Sequence, residues 1–258
     1  MATQQLSFWD PRTSASLKLA ILHDRGTTYK YEHPVWQAWA AIVENYFPRN
    51  ANTNGGDRWA IDREPYRGLP AAPHMIRPDI AAIRLSYDPL HPYTFGRKPV
   101  TRSRDYIWVE CKAPDPSTPA AWKNVLYEVI TRLQSAHPTR VIILMIGVGL
   151  KFMYFIWLPG AAQPPLNVLK DDGTTFWPLD PRIQPLTTAD PWLSARQVGN
   201  LWVNLVNPKD ALSLDTWSPS PNVGFQLLHQ NDHHQLENLL RRVLVVPLPG
   251  TTNSPHFA

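Results

Sequence analysis

Arg77-Pro78-Asp79-Ile80 and Trp108-Val109-Glu110-Cys111-Lys112-Ala113 are the two short pieces of sequence that decide how this chain is read. Side chains alternate along a strand, so Glu110 and Lys112 share one face and Cys111 takes the other. Two carboxylates and one lysine on a shared face suit a hard cation beside a phosphate. Magnesium keeps several waters and binds through one or two carboxylates, which Asp79 and Glu110 supply. Lys112 then holds or deprotonates the attacking water and offsets charge on phosphorus.

Working outward, each piece abuts an apolar strand. Residues 75–87 form the first and residues 106–113 the second. Residues 88–104 between them read as a loop carrying Pro89, Pro92 and Pro99. Its tip holds four cations and no acid: Arg97, Lys98, Arg102 and Arg104. Beside a phosphate-cutting site such a run tracks a nucleic-acid backbone; a solvated hairpin tip is the other reading.

Two helices flank the pair. Upstream, Pro34 suits a first helical position, and Val35, Trp36, Trp39, Ala40, Val43 and Phe47 recur at helical spacing until Pro48 ends the run. Glu44 lies at the edge of that stripe, as a further metal ligand or a solvated helix residue. Downstream, Thr118 reads as an N-cap with Pro119 at the first helical position. Trp122, Val125, Leu126, Val129 and Leu133 form the buried stripe, and His137-Pro138 stops the helix. Lys123 lies off the stripe, as a nucleic-acid contact or a solvated lysine.

This order resembles the PD-(D/E)xK nuclease superfamily, the restriction-endonuclease-like fold, whose core runs helix, three-stranded meander, helix, strand. Pro78, Asp79, Glu110 and Lys112 match its motif residue by residue, and the resemblance covers about residues 30 to 158. It implies an α/β protein with a central mixed sheet flanked by helices. It further implies a nuclease-like core over residues 1–158 and an irregular, proline-rich C-terminal extension over residues 159–258 that packs on it. Mg2+ or Mn2+ would be held by Asp79, Glu110 and the backbone carbonyl of Cys111, with Glu44 as a possible addition, and the reaction would be hydrolysis of phosphodiesters in DNA. Two other readings stay open: an inactive nuclease-like domain that binds nucleic acid or a protein partner, and an RNA endonuclease.

Composition is compatible with this. The chain has 258 residues, 43% of them hydrophobic, enough for a sizeable core. A net charge of +4 is mildly basic, suggestive of a polyanion partner. The single cysteine, Cys111, excludes an internal disulfide and points to a reducing, intracellular compartment, cytoplasmic or nuclear. No charged-then-apolar leader opens the chain, so no secretory signal is expected. Residues 141–158 imitate a membrane span, but Gly147, Gly149 and Lys151 break it, and two buried strands joined by a tight turn fit better.

Beyond residue 158 the motif signals are weaker. Residues 159–191 read as a proline-rich wrap, residues 193–206 as a helix, and Asp232 as the start of a late helix with Gln235 at capping-box spacing. His233-His234 beside Asp232 does not read as a metal site, because adjacent helical residues diverge by about 100°. There is no phosphate-binding Walker loop, dinucleotide-binding glycine fingerprint or nucleophile elbow.

Overall fold

The structure is a computed structural model. It describes residues 5–26, 31–47, 58–63, 78–87, 101–114, 118–161, 164–186, 190–215, 217–220, 224–227 and 230–245. Two helices come first, α1 (Ser14–Arg25) and α2 (His33–Tyr46). The Thr13 hydroxyl caps α1 by accepting from the Ser16 amide, which satisfies one of the orphan donors of a first turn. Pro34 sits in the first turn of α2.

Three strands then form an antiparallel meander: β1 (Arg58–Arg63), β2 (Ile80–Tyr87) and β3 (Thr101–Lys112). Helix α3 (Pro119–Ala136) crosses back to β4 (Ile142–Val148), which runs parallel to β3. The Thr118 side chain caps α3. A tight turn with Gly149 at φ 57° leads to β5 (Lys151–Trp157), antiparallel to β4. The expected strand pair over residues 141–158 is therefore present, and no helix among the described residues is long and apolar enough to cross a membrane.

The result is an α/β protein whose mixed sheet lies between helices. Alternation along β3 assigns the two faces. Gly147, paired with Cys111, faces α2, and Trp39 lies so close that a Cβ there would come within 2.1 Å of its Nε1. Trp108 and Glu110 face α3 instead, where Trp108 packs edge-on to His137. Tyr106 is an extra residue in the ladder, since Ala82 pairs with Ile107 but Ile83 with Asp105. This bulge returns Asp105 to the side of Trp108, whose indole N–H donates to it at 3.0 Å.

Beyond residue 158 the chain is more regular than its prolines suggest. It forms β6 (Asn167–Leu169), β7 (Phe176–Pro178), β8 (Ile183–Pro185), β9 (Leu193–Val198), β10 (Leu201–Val206), β11 (Leu212–Ser213), β12 (Trp217–Ser220), β13 (Gly224–Leu227) and α4 (Gln230–Val245). Strand β11 pairs with the start of β5 and β8 with its end. Together they cover the edge of a strand too buried to leave its backbone groups open. Strands β7, β6, β10 and β9 form a second sheet in that order.

Three expectations are corrected here. Residues 101–104 belong to β3, extending it beyond the expected start at 106. Residues 193–206 are the β9–β10 hairpin, not a helix: Val198 pairs with Leu201 across Gly199, whose φ of 61° suits a two-residue turn. Asp232 lies within the first turn of α4 rather than before it, and its carboxylate accepts from the Ser213 amide, tying the helix to β11.

Candidate functional site

Asp79 immediately precedes β2. Because Ile80 pairs with Val109, the antiparallel ladder carries Asp79 to the level of Glu110 and Cys111. Its Oδ2 accepts from the Cys111 amide at 2.5 Å. Amide and carbonyl of one strand residue point toward the same neighbouring strand, so the Cys111 carbonyl faces the Asp79 side as well. Asp79, Glu110 and Lys112 thus come together where β3 ends.

Glu110 is only 2% exposed, and its carboxylate is met by cations. Lys112 Nζ donates to Oε1 at 3.0 Å. Arg132, from α3, donates through Nη1 to Oε1 at 2.9 Å and to Oε2 at 2.8 Å. Its Nη2 donates to Glu128, one turn back on the same helix. Lys112 is the last residue of β3, so both helical layers reach it. Glu32, at the start of α2, lies 3.5 Å from its Nζ, and Glu128 lies 3.8 Å away. Among the described residues, four carboxylates (Asp79, Glu110, Glu32, Glu128) face two cations (Lys112, Arg132).

The electrostatics follow from that crowding. Burial, then the neighbouring Glu110 charge, push the Asp79 carboxyl up to about 7, against the opposing pull of the Cys111 amide and Lys112. Burial likewise raises Glu110, and Lys112 and Arg132 work against it. Burial would lower the Lys112 ammonium, but Glu110, Glu32 and Glu128 more than offset it and hold the charge. Cys111 points away from this face and is fully buried; burial first, then Asp79 and Glu110, raise its thiol well above the ordinary range. It is packing, not a nucleophile.

No family model, curated protein or solved structure matches this chain. The site is therefore read from its own chemistry.

Glu44 is paired with Arg63 at 3.1 Å, between α2 and β1, and the acidic residue that α2 brings to Lys112 is Glu32. Lys123 stands over the rings of Tyr127 and Trp177, at 5.1 and 5.4 Å. Arg102 and Arg104 are on β3, paired with Ser86 and Arg84. Arg97 and Lys98 lie outside the described residues. His233 is buried against Phe8 and Trp9. Among the described residues, no three or more His, Cys, Asp and Glu are grouped to hold a metal ion.

Glu32, Glu128 and Arg132 were missed in the sequence. Glu128 and Arg132 carried one signal, the i,i+4 spacing of a helical ion pair. Nothing local announced Glu32, which depends on where α2 begins relative to β3.

Proposed function

We propose that the protein is a metal-dependent nuclease of the PD-(D/E)xK type that hydrolyses phosphodiesters in DNA. One observation carries this reading. Asp79 is held by the Cys111 amide beside Glu110 and Lys112, in a cluster that runs from the buried Glu110 to the half-exposed Glu32 and Glu128 and, among the described residues, holds more acids than cations. The order of elements supports it: helix α2, the meander β1–β2–β3, helix α3 and parallel strand β4 follow the core of the family that the motif resembles.

The residues present fit a magnesium or manganese ion. The acids among the described residues favour a divalent cation, and Asp79, Glu110 and the Cys111 carbonyl would supply hard oxygens to an ion that needs only one or two carboxylates. Bound there, such an ion would supply Lewis-acid polarisation of the phosphoryl oxygens and a lowered pKa of water. Lys112, fixed between Glu110, Glu32 and Glu128, holds the attacking water and offsets negative charge on the phosphorus.

The test is cleavage of DNA and of RNA with Mg2+ or Mn2+, comparing the wild type with Asp79→Asn, Glu110→Gln and Lys112→Ala, alongside the melting temperature with and without Mn2+. Cleavage by wild type alone, with an ion-dependent rise in melting temperature that Asp79→Asn and Glu110→Gln lose, is the expected result. Cleavage of RNA only would move the substrate to RNA. A second reading draws on the Arg132 bridge to Glu110: a domain that binds nucleic acid without cutting it, its cation supplied by an arginine. Folded wild-type protein that binds nucleic acid but neither binds Mn2+ nor cuts would favour that reading over the first.

A further inference from the structure

Arg132 occupies an unusual place in the acidic centre. Its Nη1 lies across the mouth of the Glu110 carboxylate, within hydrogen-bond distance of both oxygens at 2.9 and 2.8 Å. That is where a cation touching both oxygens would stand. Its Nη2 is anchored on Glu128, four residues earlier on α3. One planar guanidinium therefore spans two carboxylates, one buried and one at the surface.

Removing one partner from a buried charge pair is strongly destabilising, because it leaves an uncompensated buried charge. Glu110 is almost wholly buried; Lys112 meets its Oε1, and Arg132 reaches both of its oxygens before any divalent cation arrives. Arginine suits this task because its donors form a fixed fork that can hold two acceptors at once. Glu128 gives it a second partner to keep when Glu110 is taken.

We propose that Arg132 is the resident counter-ion of the acidic centre, bridging Glu110 and Glu128 in the ion-free protein, and that it must release Glu110 while keeping Glu128 before a divalent cation binds. This deepens the nuclease reading and rests on it. Arg132 is a positioning residue, and it sets the affinity for the ion rather than the chemistry.

The consequence is quantitative. An ion that binds only the released state has its apparent affinity reduced by the fraction of time that state is populated. With the bridge formed about nine-tenths of the time, removing it tightens binding about tenfold. A bare loss of positive charge would also tighten binding, so a charge-conserving variant is needed. Lysine is a compact point charge on a flexible stem and lacks the fixed fork that meets both Glu110 oxygens and Glu128 at once.

The experiment is Mn2+ titration of the full chain by calorimetry at fixed ionic strength, for wild type, Arg132→Gln, Arg132→Lys, Glu128→Gln and the Glu128→Gln/Arg132→Gln pair, with folding checked by circular dichroism. The expected result is binding about tenfold tighter in both Arg132→Gln and Arg132→Lys. Glu128→Gln should weaken binding in the wild-type background and do much less once Arg132 is gone. Arg132→Lys behaving as wild type while Arg132→Gln binds tighter would mean bare charge, and would overturn the bridge. So would equal effects of Glu128→Gln in both backgrounds, or unchanged binding in both Arg132 variants. In those cases wild type still binds Mn2+ and the nuclease reading survives. If no folded form binds Mn2+, the nuclease reading falls and this inference with it.

Discussion

Strand β3 buries two acids five positions apart, and the surroundings of each differ. Asp105 is 5% exposed and Glu110 is 2% exposed, and both face α3. Asp105 meets the end of that helix. There it accepts from the Trp108 indole N–H at 3.0 Å and lies 3.1 Å from His137 Nε2, while Trp157 donates to the His137 carbonyl at 2.9 Å. Glu110 meets the middle of the helix, where Arg132 and Lys112 hold it and three more carboxylates crowd in. Around Asp105 aromatic donors and a histidine lock a helix end onto a strand. Around Glu110, among the described residues, acids outnumber cations. Burial alone does not single out a candidate site; a buried acid crowded by like charge is one.

The sharpest way to break this comparison is to substitute one residue from each group. Lys112→Ala should lower the cleavage rate on the order of 100-fold or more, the size expected for losing a charge that stabilises the transition state. It should also destabilise the fold by about 1–2 kcal/mol, because Glu110 loses one of its charged hydrogen bonds. From the sequence alone a strand-end lysine would cost about 0.5 kcal/mol or less; the salt bridges raise that figure. Rates per folded molecule and melting temperatures measured on the same samples check both numbers. Cleavage at the wild-type rate would remove Lys112 from the chemistry.

Asp105→Ala should do the reverse. The Trp108 indole loses its acceptor inside the core, at a cost of about 2–3 kcal/mol, read as a lower denaturation midpoint. Mn2+ affinity and cleavage per folded molecule should stay at wild-type values. If Asp105→Ala weakened the ion as much as Glu110→Gln does, the two ends of β3 would be one coupled site and the comparison would collapse.

Much of this division was legible in the sequence. Helix ends were written in local chemistry, in Pro34, in Thr118-Pro119 and in His137-Pro138. The turn at Gly149 separated β4 from β5. The convergence of Asp79, Glu110 and Lys112 was legible because strand alternation puts Glu110 and Lys112 on one face and the neighbouring strand brings Asp79 beside them. What stayed hidden depends on distant pairing. Apolar residues over 193–206 fit a helix as well as a hairpin until Gly199 is known to have a positive φ and β6 to offer its edge to β10. Asp232 resembles a helix cap locally, yet its partner is the Ser213 amide on β11. The bulge at Tyr106 could not be counted from either strand alone, and without it five positions would put Asp105 and Glu110 on opposite faces.

Helix α2 supplies the finest test. Two of its acids compete for a place in the acidic centre, Glu44 by sequence position and Glu32 by structure. Glu44 pairs with Arg63, with both side chains well exposed, and exposed pairs of this kind contribute about 0–1 kcal/mol. Glu44→Gln should therefore change stability by less than about 0.5 kcal/mol and leave Mn2+ affinity untouched. Glu32 lies 3.5 Å from Lys112 Nζ and is itself half-exposed, so its charge reaches the centre through a partly screened pair. Glu32→Gln should weaken Mn2+ binding about two- to fivefold, the fold-change equivalent of one such interaction. The pair of titrations discriminates sharply because both substitutions remove one negative charge from the same helix. Equal effects would mean that only the overall charge matters. A larger effect from Glu44→Gln would restore Glu44 as the acid of α2 that faces the ion and remove Glu32 from the cluster around Lys112.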